Sequence, residues 1–509
     1  MSRINTNVSS LVAQRVLGQN NQALNVSLER LSTGVAINRG KDNPAGLIAS
    51  ENLRKDLTAL NAAVSNSERA ERVVNIAEGG LAEVSNLLNE LQGLVTLTAN
   101  DAGLSDAEKE ANQLQIDSIL QTVDRISGST SFQGTQLLNG NFDFQVSGQD
   151  DGIADLQVNG AKFAGDSLEI DVTVTQSAQR AGVALTLSAG ATALALSAPA
   201  NSLVIELQGS LGTRRFEFSD ATSLADAAAT INTFSDVTGV SAVASGSVLR
   251  AESTSFGADE FVSLSVVEDG GIAASAEIDT FDADNFNALA GSGAAINTLE
   301  GGGATRDFGQ DIGVSVNGIG AVTSGKTARV DTDFLSVELT VADSDTGTLG
   351  LVGTNRSFII TGGGATFQIG SNVDIANQTS IGIADTSTRN LGSNTAGGFL
   401  SDLAGGEAAN VSDSSGDSNL AQKIVSAAIE QVSSLRGRLG AFQRNTLTSN
   451  IQSLGVTIEN TAAANSVIRD TDFAAETASL TRSQILAQAA TNSLQLANSQ
   501  PQNALALLG

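Results

Sequence analysis

The sequence predicts an α+β fold: long, coiled-coil-like helical arms drawn from both termini, with a β-rich region inserted between them. Three observations carry this. Hydrophobic residues recur at threes, fours and sevens toward both ends of the chain but alternate in the middle. Charge is zoned: residues 1–140 hold 11 Lys/Arg against 15 Asp/Glu, residues 416–509 hold 6 against 6, and the stretch between holds 10 against 34. Glycine follows the same division, with 36 of the chain's 52 lying between 141 and 415. So acidic a stretch, rich in Gly, Ser, Asp and Thr, belongs on a solvated surface.

The elements follow in order. Ile4, Val8, Leu11, Leu17, Leu24, Leu28 and Leu31 share a helical period. Ser32-Thr33-Gly34 then supplies a stop, because glycine suits the left-handed cap. Asp42-Asn43-Pro44 supplies a cap and a first-turn proline for a second helix. That helix is expected from Pro44 to about Ala99, with Leu60, Val74, Leu81 and Leu91 among its apolar positions. A run of this length points to a bundle of coiled-coil type. A third helix follows the Asn100–Gly103 break, over about 105–127.

In the middle, Leu168-Glu-Ile-Asp-Val-Thr-Val174 alternates as a half-buried strand does. Strands are also expected at 203–207, 216–218, 240–243, 248–251 and 261–267, with a short helix over 222–234. The C-terminal zone reads as one helix over about 417–453 and a second from near Ala462, which carries the seven-residue series Phe473, Leu480, Ala487, Leu494.

Composition excludes much chemistry. The 509 residues contain no Cys, His, Trp or Tyr. Ser-His-Asp and Cys-His nucleophiles, thiolate metal sites and His-based zinc or iron sites are therefore impossible. Carboxylate pairs and oxygen-only cation sites stay open, but no phosphate-cradling or calcium-loop motif occurs. The clusters Gly301–Gly303 and Gly362–Gly364 read as turns. No enzyme activity, metal or cofactor is expected. The opening MSRINTNVSSLVAQ has no seven-residue apolar core after its Arg, so no cleaved Sec signal is expected. No apolar run is long enough for membrane insertion, and the net charge of −28 argues against nucleic acid.

The tail SQILAQAATNSLQLANSQPQNALALLG, residues 483–509, is free of charge. Counted at 100° per residue, Leu486, Ala487, Ala490, Leu494 and Ala497 cover one apolar arc. Ile485, Ala489 and Leu496 form a second strip. Gln484, Gln488, Thr491, Asn492, Gln495 and Ser499 fill the polar arc between them. A surface helix opposes charges to one apolar face; two apolar faces suit a helix packed on two sides. An intramolecular core helix rich in glutamine is the plain alternative. The N-terminal arm has the same habit, however, with Arg15 the only charge between Ile4 and Leu28.

At both ends the chain resembles the bacterial flagellins. The matching stretches are Ile4-Asn-Thr-Asn7, Leu31-Ser-Thr-Gly-Val-Ala-Ile-Asn38, Lys41-Asp-Asn-Pro-Ala-Gly-Leu47, Phe132-Gln-Gly134, Arg438-Leu-Gly-Ala-Phe-Gln443, Ile468-Arg-Asp-Thr-Asp-Phe-Ala-Ala-Glu476 and Gln484-Ile-Leu486. Residues 222–242 are also similar to a repeat found in outer domains of some flagellins. The resemblance implies a self-polymerising filament subunit, secreted to the extracellular bacterial flagellum. Residues 1–43 with 460–509 would form its inner core, 44–175 with 416–459 a second helical shell with a β-hairpin, and 176–415 an acidic outer region. It further implies contacts with the flagellar export apparatus, with hook-associated junction and cap proteins, and with an export chaperone through the C-terminal helix.

On that reading Ile4, Val8, Leu11, Leu17, Leu24, Leu28, Leu31, Phe473, Leu480, Ile485, Leu486, Leu494 and Leu496 make the polymerisation core, and Gln484, Gln488 and Gln495 face the lumen. Burying Ile485, Leu486, Leu494 and Leu496 contributes roughly 1.5–3 kcal/mol each. Ordering the tail costs roughly 1–2 kcal/mol per residue, so it is expected to be disordered alone and helical in the polymer. Family members sensed by the vertebrate Toll-like flagellin receptor carry Arg and Glu where Glu90 and Gly93 stand here, which implies weak sensing. The Ser/Thr-rich stretch 386–395 is expected to be a solvated loop, open to O-glycans. A hook–filament junction protein and a filament-displayed adhesin or carbohydrate-binding protein, acting through 176–415, are the rival readings.

Overall fold

The computed structural model describes residues 6–100, 103–163, 165, 167–188, 190–197, 201–272, 276–282, 285–289, 293–299, 303–342, 355–394, 396–411 and 417–506. Ile4, Gly301 and Gly302 lie outside them. The helices are α1 (Val8–Thr33), α2 (Pro44–Thr98), α3 (Asp106–Ser129), α4 (Leu224–Asn232), α5 (Ser235–Thr238), α6 (Ser418–Ala441), α7 (Ser449–Arg469) and α8 (Phe473–Ala506). A π-helical stretch, Phe442–Thr448, joins α6 to α7.

The three N-terminal helices form where the sequence places them, and local chemistry sets their ends. Gly34 adopts φ 74° and its N–H donates to the Arg30 carbonyl, the left-handed cap that Ser-Thr-Gly foretells. The Asn43 side chain accepts from Gly46 N at 2.9 Å. A Cβ on Gly46 would come within 2.6 Å of that side chain and 2.8 Å of Ile37. Ser105 and Glu108 close a capping box on α3.

The C-terminal zone departs from expectation. The helix does not stop near 453 and restart near Ala462; it runs to Arg469, and the chain breaks at Asp470-Thr471-Asp472. Asp470 is extended there, and the Asp472 carboxylate accepts from Ala474 N and Ala475 N at 2.9 and 3.1 Å. Capping chemistry, absent near 453, decides where the new helix begins.

The chain divides into two compact units: Met1–Val74 with Phe367–Gln378 and Leu439–Gly509, and Asn75–Thr366 with Thr379–Arg438. In the first, α1 pairs with α8, and Leu60 and Ala63 of α2 pack on Leu454 of α7.

In the second unit, α2 buries Ala77, Leu81, Val84, Leu88, Leu91 and Val95 at alternating spacings of three and four. The same rhythm runs through Ala421, Val425, Ala428, Val432 and Leu435 of α6. This is the seam period of coiled-coil packing. Arg436 reaches Glu78 at 2.8 Å from α6 to α2, and Asn112 donates to Thr98 Oγ1 at 3.3 Å from α3 to α2.

The β region of this unit holds two nested cores. Strand Leu168–Gln176 pairs antiparallel with Gly313–Val316 and Asn355–Gly363, and Ile153–Ala161 pairs with Leu335–Val341. Between Gln176 and Gly313 a second core is inserted. There Ser202–Gln208 pairs with Thr213–Ser219 and Phe261–Glu268, while Val248–Ser253 pairs with Gly182–Thr186 and Val240–Ser245. The apolar face of α4, with Leu224, Ala227 and Ile231, covers it. Gly362, Gly363 and Gly364 all have positive φ, but the expected turn is confined to Gly364: Gly362 and Gly363 end a bulged strand and pair with Gln145 and Phe144.

The stretch 386–395 is not a solvated loop. Thr386 and Thr388 are buried; Thr388 donates from its N–H and hydroxyl to the Asp124 carboxylate at 2.8 and 3.0 Å. Thr386 N donates to the Leu138 carbonyl at 3.0 Å. Beside them Gln113, buried on α3, donates to Leu403 O at 2.8 Å and accepts from Val411 N at 3.0 Å. Irregular backbone is thus tied to the helices by side chains whose own polar groups are satisfied.

Leu88→Ala removes a fully buried seam residue, and we expect it to cost about 2–5 kcal/mol, measured by denaturant melting. Burial pushes the Asp143 carboxyl above its ordinary pKa, against the pull of the Phe144 N–H and of Arg438. A raised folded-state pKa means that the ionised group costs stability above that pKa, a cost relieved as pH falls through it. Asp143→Asn should therefore raise the melting temperature at pH 7, with the advantage fading in acid. An unchanged melt at pH 7 would contradict this.

Candidate functional site

The α1–α8 pair gathers the sequence motifs into one structure. The two helices run antiparallel. At one end Asn7 caps α1, its Oδ1 accepting from Ser10 N at 3.1 Å, while its Nδ2 donates to the Ala497 carbonyl of α8 at 2.8 Å. At the other end Val35 bridges Asp470, Ala36 N donates to Arg469 O at 2.7 Å, and Thr471 N donates to Gly34 O at 3.0 Å. Arg30 and Glu476 face each other at 3.5 Å across the pair. The Leu31–Asn38 and Ile468–Glu476 stretches therefore meet, and both helix ends are closed.

The seam between the helices is made of small residues. Ser10 and Ser27 of α1 and Ser483, Ala490 and Ala497 of α8 are buried. The last three recur every seven residues and lie three positions beyond the half-buried row Leu480, Ala487, Leu494, the two rows of a coiled-coil seam. Small seam residues let helix backbones approach closely.

Several large apolar side chains point the other way. Val8 is 60% exposed, Leu11 58%, Phe473 57%, and Ile485 and Leu496 64% each. Leu28 and Leu486 are exposed too. Leu17, Leu24, Leu31, Leu480 and Leu494 are half-buried, and Gln484, Gln488 and Gln495 are exposed. Along one side runs a groove of about 630 Å³, lined by Val8, Val12, Val16, Leu486, Leu496 and Gln500 among others. The first apolar arc of the tail, Leu486 apart, faces α1; the second strip, with Ile485 and Leu496, faces outward.

Sequence reasoning named the large side chains and placed Ala490 and Ala497 on one apolar arc, but missed the serines of the seam. Ser10, Ser27 and Ser483 carry no hydrophobic signal, and Val12 and Val16 sit between positions chosen for period. The heptad spacing of 483, 490 and 497 was the available clue. In the structure α8 has a partner, α1, which the count of its few large side chains left out.

Among the described residues no cluster of His, Cys, Asp or Glu could hold a metal ion, and no helix is long and apolar enough to cross a membrane. What the pair offers is apolar surface with little charge. Exposed apolar surface in this arrangement marks an interaction site. Elsewhere, Glu90 and Gly93 are both exposed on α2, and Gln115 of α3 reaches the Glu90 carboxylate at 3.5 Å.

Comparison with known proteins agrees with this placement. The family model of the bacterial flagellin N-terminal helical region matches residues 4–143, and that of the C-terminal helical region matches 422–508. Flagellin D of Vibrio anguillarum is 28% identical over 99% of both chains. The B-type flagellin of Pseudomonas aeruginosa is 29% identical, again over 99% of each. Flagellin E of Vibrio cholerae is 40% identical over 170 residues, 33% of this chain and 44% of that one. With both helical ends matched in order and flagellins aligned along the whole length, the chain belongs to the bacterial flagellin family.

Proposed function

We propose that this flagellin builds the bacterial flagellar filament by burying the outer apolar strip of its α1–α8 pair against other copies of itself. One observation carries the mechanism: the pair keeps serine and alanine inside and leaves Val8, Leu11, Ile485, Leu486 and Leu496 outside. A helix pair finished as a monomer would do the reverse. The large residues are thus reserved for neighbours, each contributing roughly 1.5–3 kcal/mol on full burial.

The layers follow from this mechanism. Residues 1–43 with 460–509 form the inner core, 44–175 with 416–459 the second shell, and 176–415 the exposed outer region. Strands from the second and third ranges share sheets, which anchors the outer region to the shell. Gln484, Gln488 and Gln495 line the lumen, where uncharged amides would not hold a charged, unfolded chain in transit. The same outer strip, before assembly, is the dock for an export chaperone on the way through the flagellar export apparatus. Hook-associated junction and cap proteins meet the filament at its ends. Glu90 and Gly93 leave the exposed face of α2 without the Arg and Glu that receptor sensing uses, so a cell-based receptor assay should give a weak response.

Two variants separate assembly from folding. Leu486→Ser with Leu496→Ser should abolish sedimentable filaments while moving monomer stability by no more than about 0.5 kcal/mol per site. Ala490→Leu should instead overpack the seam, cost about 1–3 kcal/mol and lower the monomer's melting temperature. Deleting residues 490–509 should leave the second unit folded and filaments absent by electron microscopy. Intact filaments from the double serine variant or from the deletion would refute the mechanism.

A further inference from the structure

Five of the ten cations of the acidic stretch 141–415 are tied to oxygen inside the fold. Lys162 meets Asp333 at 3.0 Å, Arg215 meets Glu206 at 3.8 Å, Arg250 meets Glu252 at 3.0 Å and Arg329 meets Asp331 at 2.7 Å. Arg356 donates to the Gly152 carbonyl at 2.6 Å.

Arg306 is spent differently, on aromatic rings, as are Arg180 over Phe256 and Arg214 over Phe234. The Arg306 side chain has no ion pair or hydrogen bond to any described residue; its guanidinium lies over the Phe261 ring at 3.9 Å and over the Phe308 ring at 4.6 Å. The two rings pair with centroids 6.4 Å apart. These residues come from the antiparallel strands Phe261–Glu268 and Ala304–Phe308, with Phe261 opposite Phe308 and Ser263 opposite Arg306. Alternation sets them on the face opposite buried Val262 and Leu264. Arg306 is exposed, and Phe308 is 59% exposed.

Two neighbouring carboxylates do not answer this charge. Asp307 accepts from Gly182 N at 2.8 Å on the other side of its strand, and Glu260 accepts from Ser210 Oγ at 2.6 Å. A guanidinium stacked on phenyl rings keeps its in-plane N–H donors available for a carboxylate. Arg and aromatic side chains together are also what interface centres concentrate.

We propose that the Arg306–Phe261–Phe308 platform is a contact between the outer regions of neighbouring copies, and that it takes a surface carboxylate of a second copy of this chain. Charge complementarity selects the occupant: the same stretch holds 34 Asp/Glu, with Glu169, Asp171, Glu217, Asp226 and Asp259 among those exposed. The proposal rests on the filament reading, because polymerisation holds copies side by side at effective concentrations of about millimolar. A contact this small forms under those conditions and not between free subunits.

The test assembles filaments from full-length chain carrying Phe308→p-benzoylphenylalanine and irradiates them. Covalent dimers and longer ladders are expected in filaments, but not in monomers at the same total concentration. Adding Arg306→Glu should lower their yield by about fivefold or more. A second probe on the same sheet face, Ala304→p-benzoylphenylalanine, leaves the aromatic platform intact and should give the same ladder. Filaments that form without ladders from either probe, ladders indifferent to Arg306→Glu, or cross-links only to non-self material such as polysaccharide overturn the proposal while leaving the filament reading standing. Failure of the unmodified chain to form filaments overturns both.

Discussion

Everything at the ends of this chain depends on how closely α1 and α8 approach. Serine and alanine at the seam let two long helices lie side by side, and the terminal clasp holds them in register. That clasp, Val35 on Asp470 with Ala36 N to Arg469 O and Thr471 N to Gly34 O, fixes where the antiparallel pair starts. Asn7 against Ala497 fixes where it finishes. With small groups at the buried centre of the seam, Val8, Leu11, Ile485, Leu486 and Leu496 are left facing outward. Exposed apolar surface is therefore a geometric result of a narrow seam.

The second unit solves the opposite problem. Its helices bury Leu81, Leu88 and Leu91 completely, so its stability comes from its own core, and its long irregular segments are held by buried polar groups. Gln113, Asp124 and Thr388 are each paired across hundreds of residues of sequence. An unpaired polar atom at such depth is expensive, which gives these contacts specificity as well as strength. The acidic excess then falls on strands and turns that point to water.

The legible parts of the fold were those with strong local signals. The cap at Gly34, the start at Pro44 and the alternating Leu168–Val174 strand could be read directly. The break at 470–472 was harder, because Asp-Thr-Asp acts as a stop only when Gly34, far away in sequence, accepts from Thr471. The strand Ile153–Ala161 was obscured by register shifts in its pairing, which break its alternation, whereas Leu335–Val341 alternates strictly and was there to be read. The strand Asn355–Gly363 opens on polar residues and ends in glycine. At the candidate site, period found the helices and the large side chains. It could not say which face was the seam, since hydrophobic scoring gives little weight to the residues that let backbones touch.

The charge-free run from Ser483 onward has one more consequence. Ionic strength acts on cohesion by screening charges, and pH acts by creating or removing them. Along this stretch of α8 there is no ionisable side chain for either to act upon. The stretch 141–415, with its surplus of carboxylates, stays responsive to salt and acid, while this part of the helix pair answers mainly to temperature and to solutes that change the hydrophobic effect. One polypeptide thus meets a changing medium with a sensitive middle and an indifferent tail.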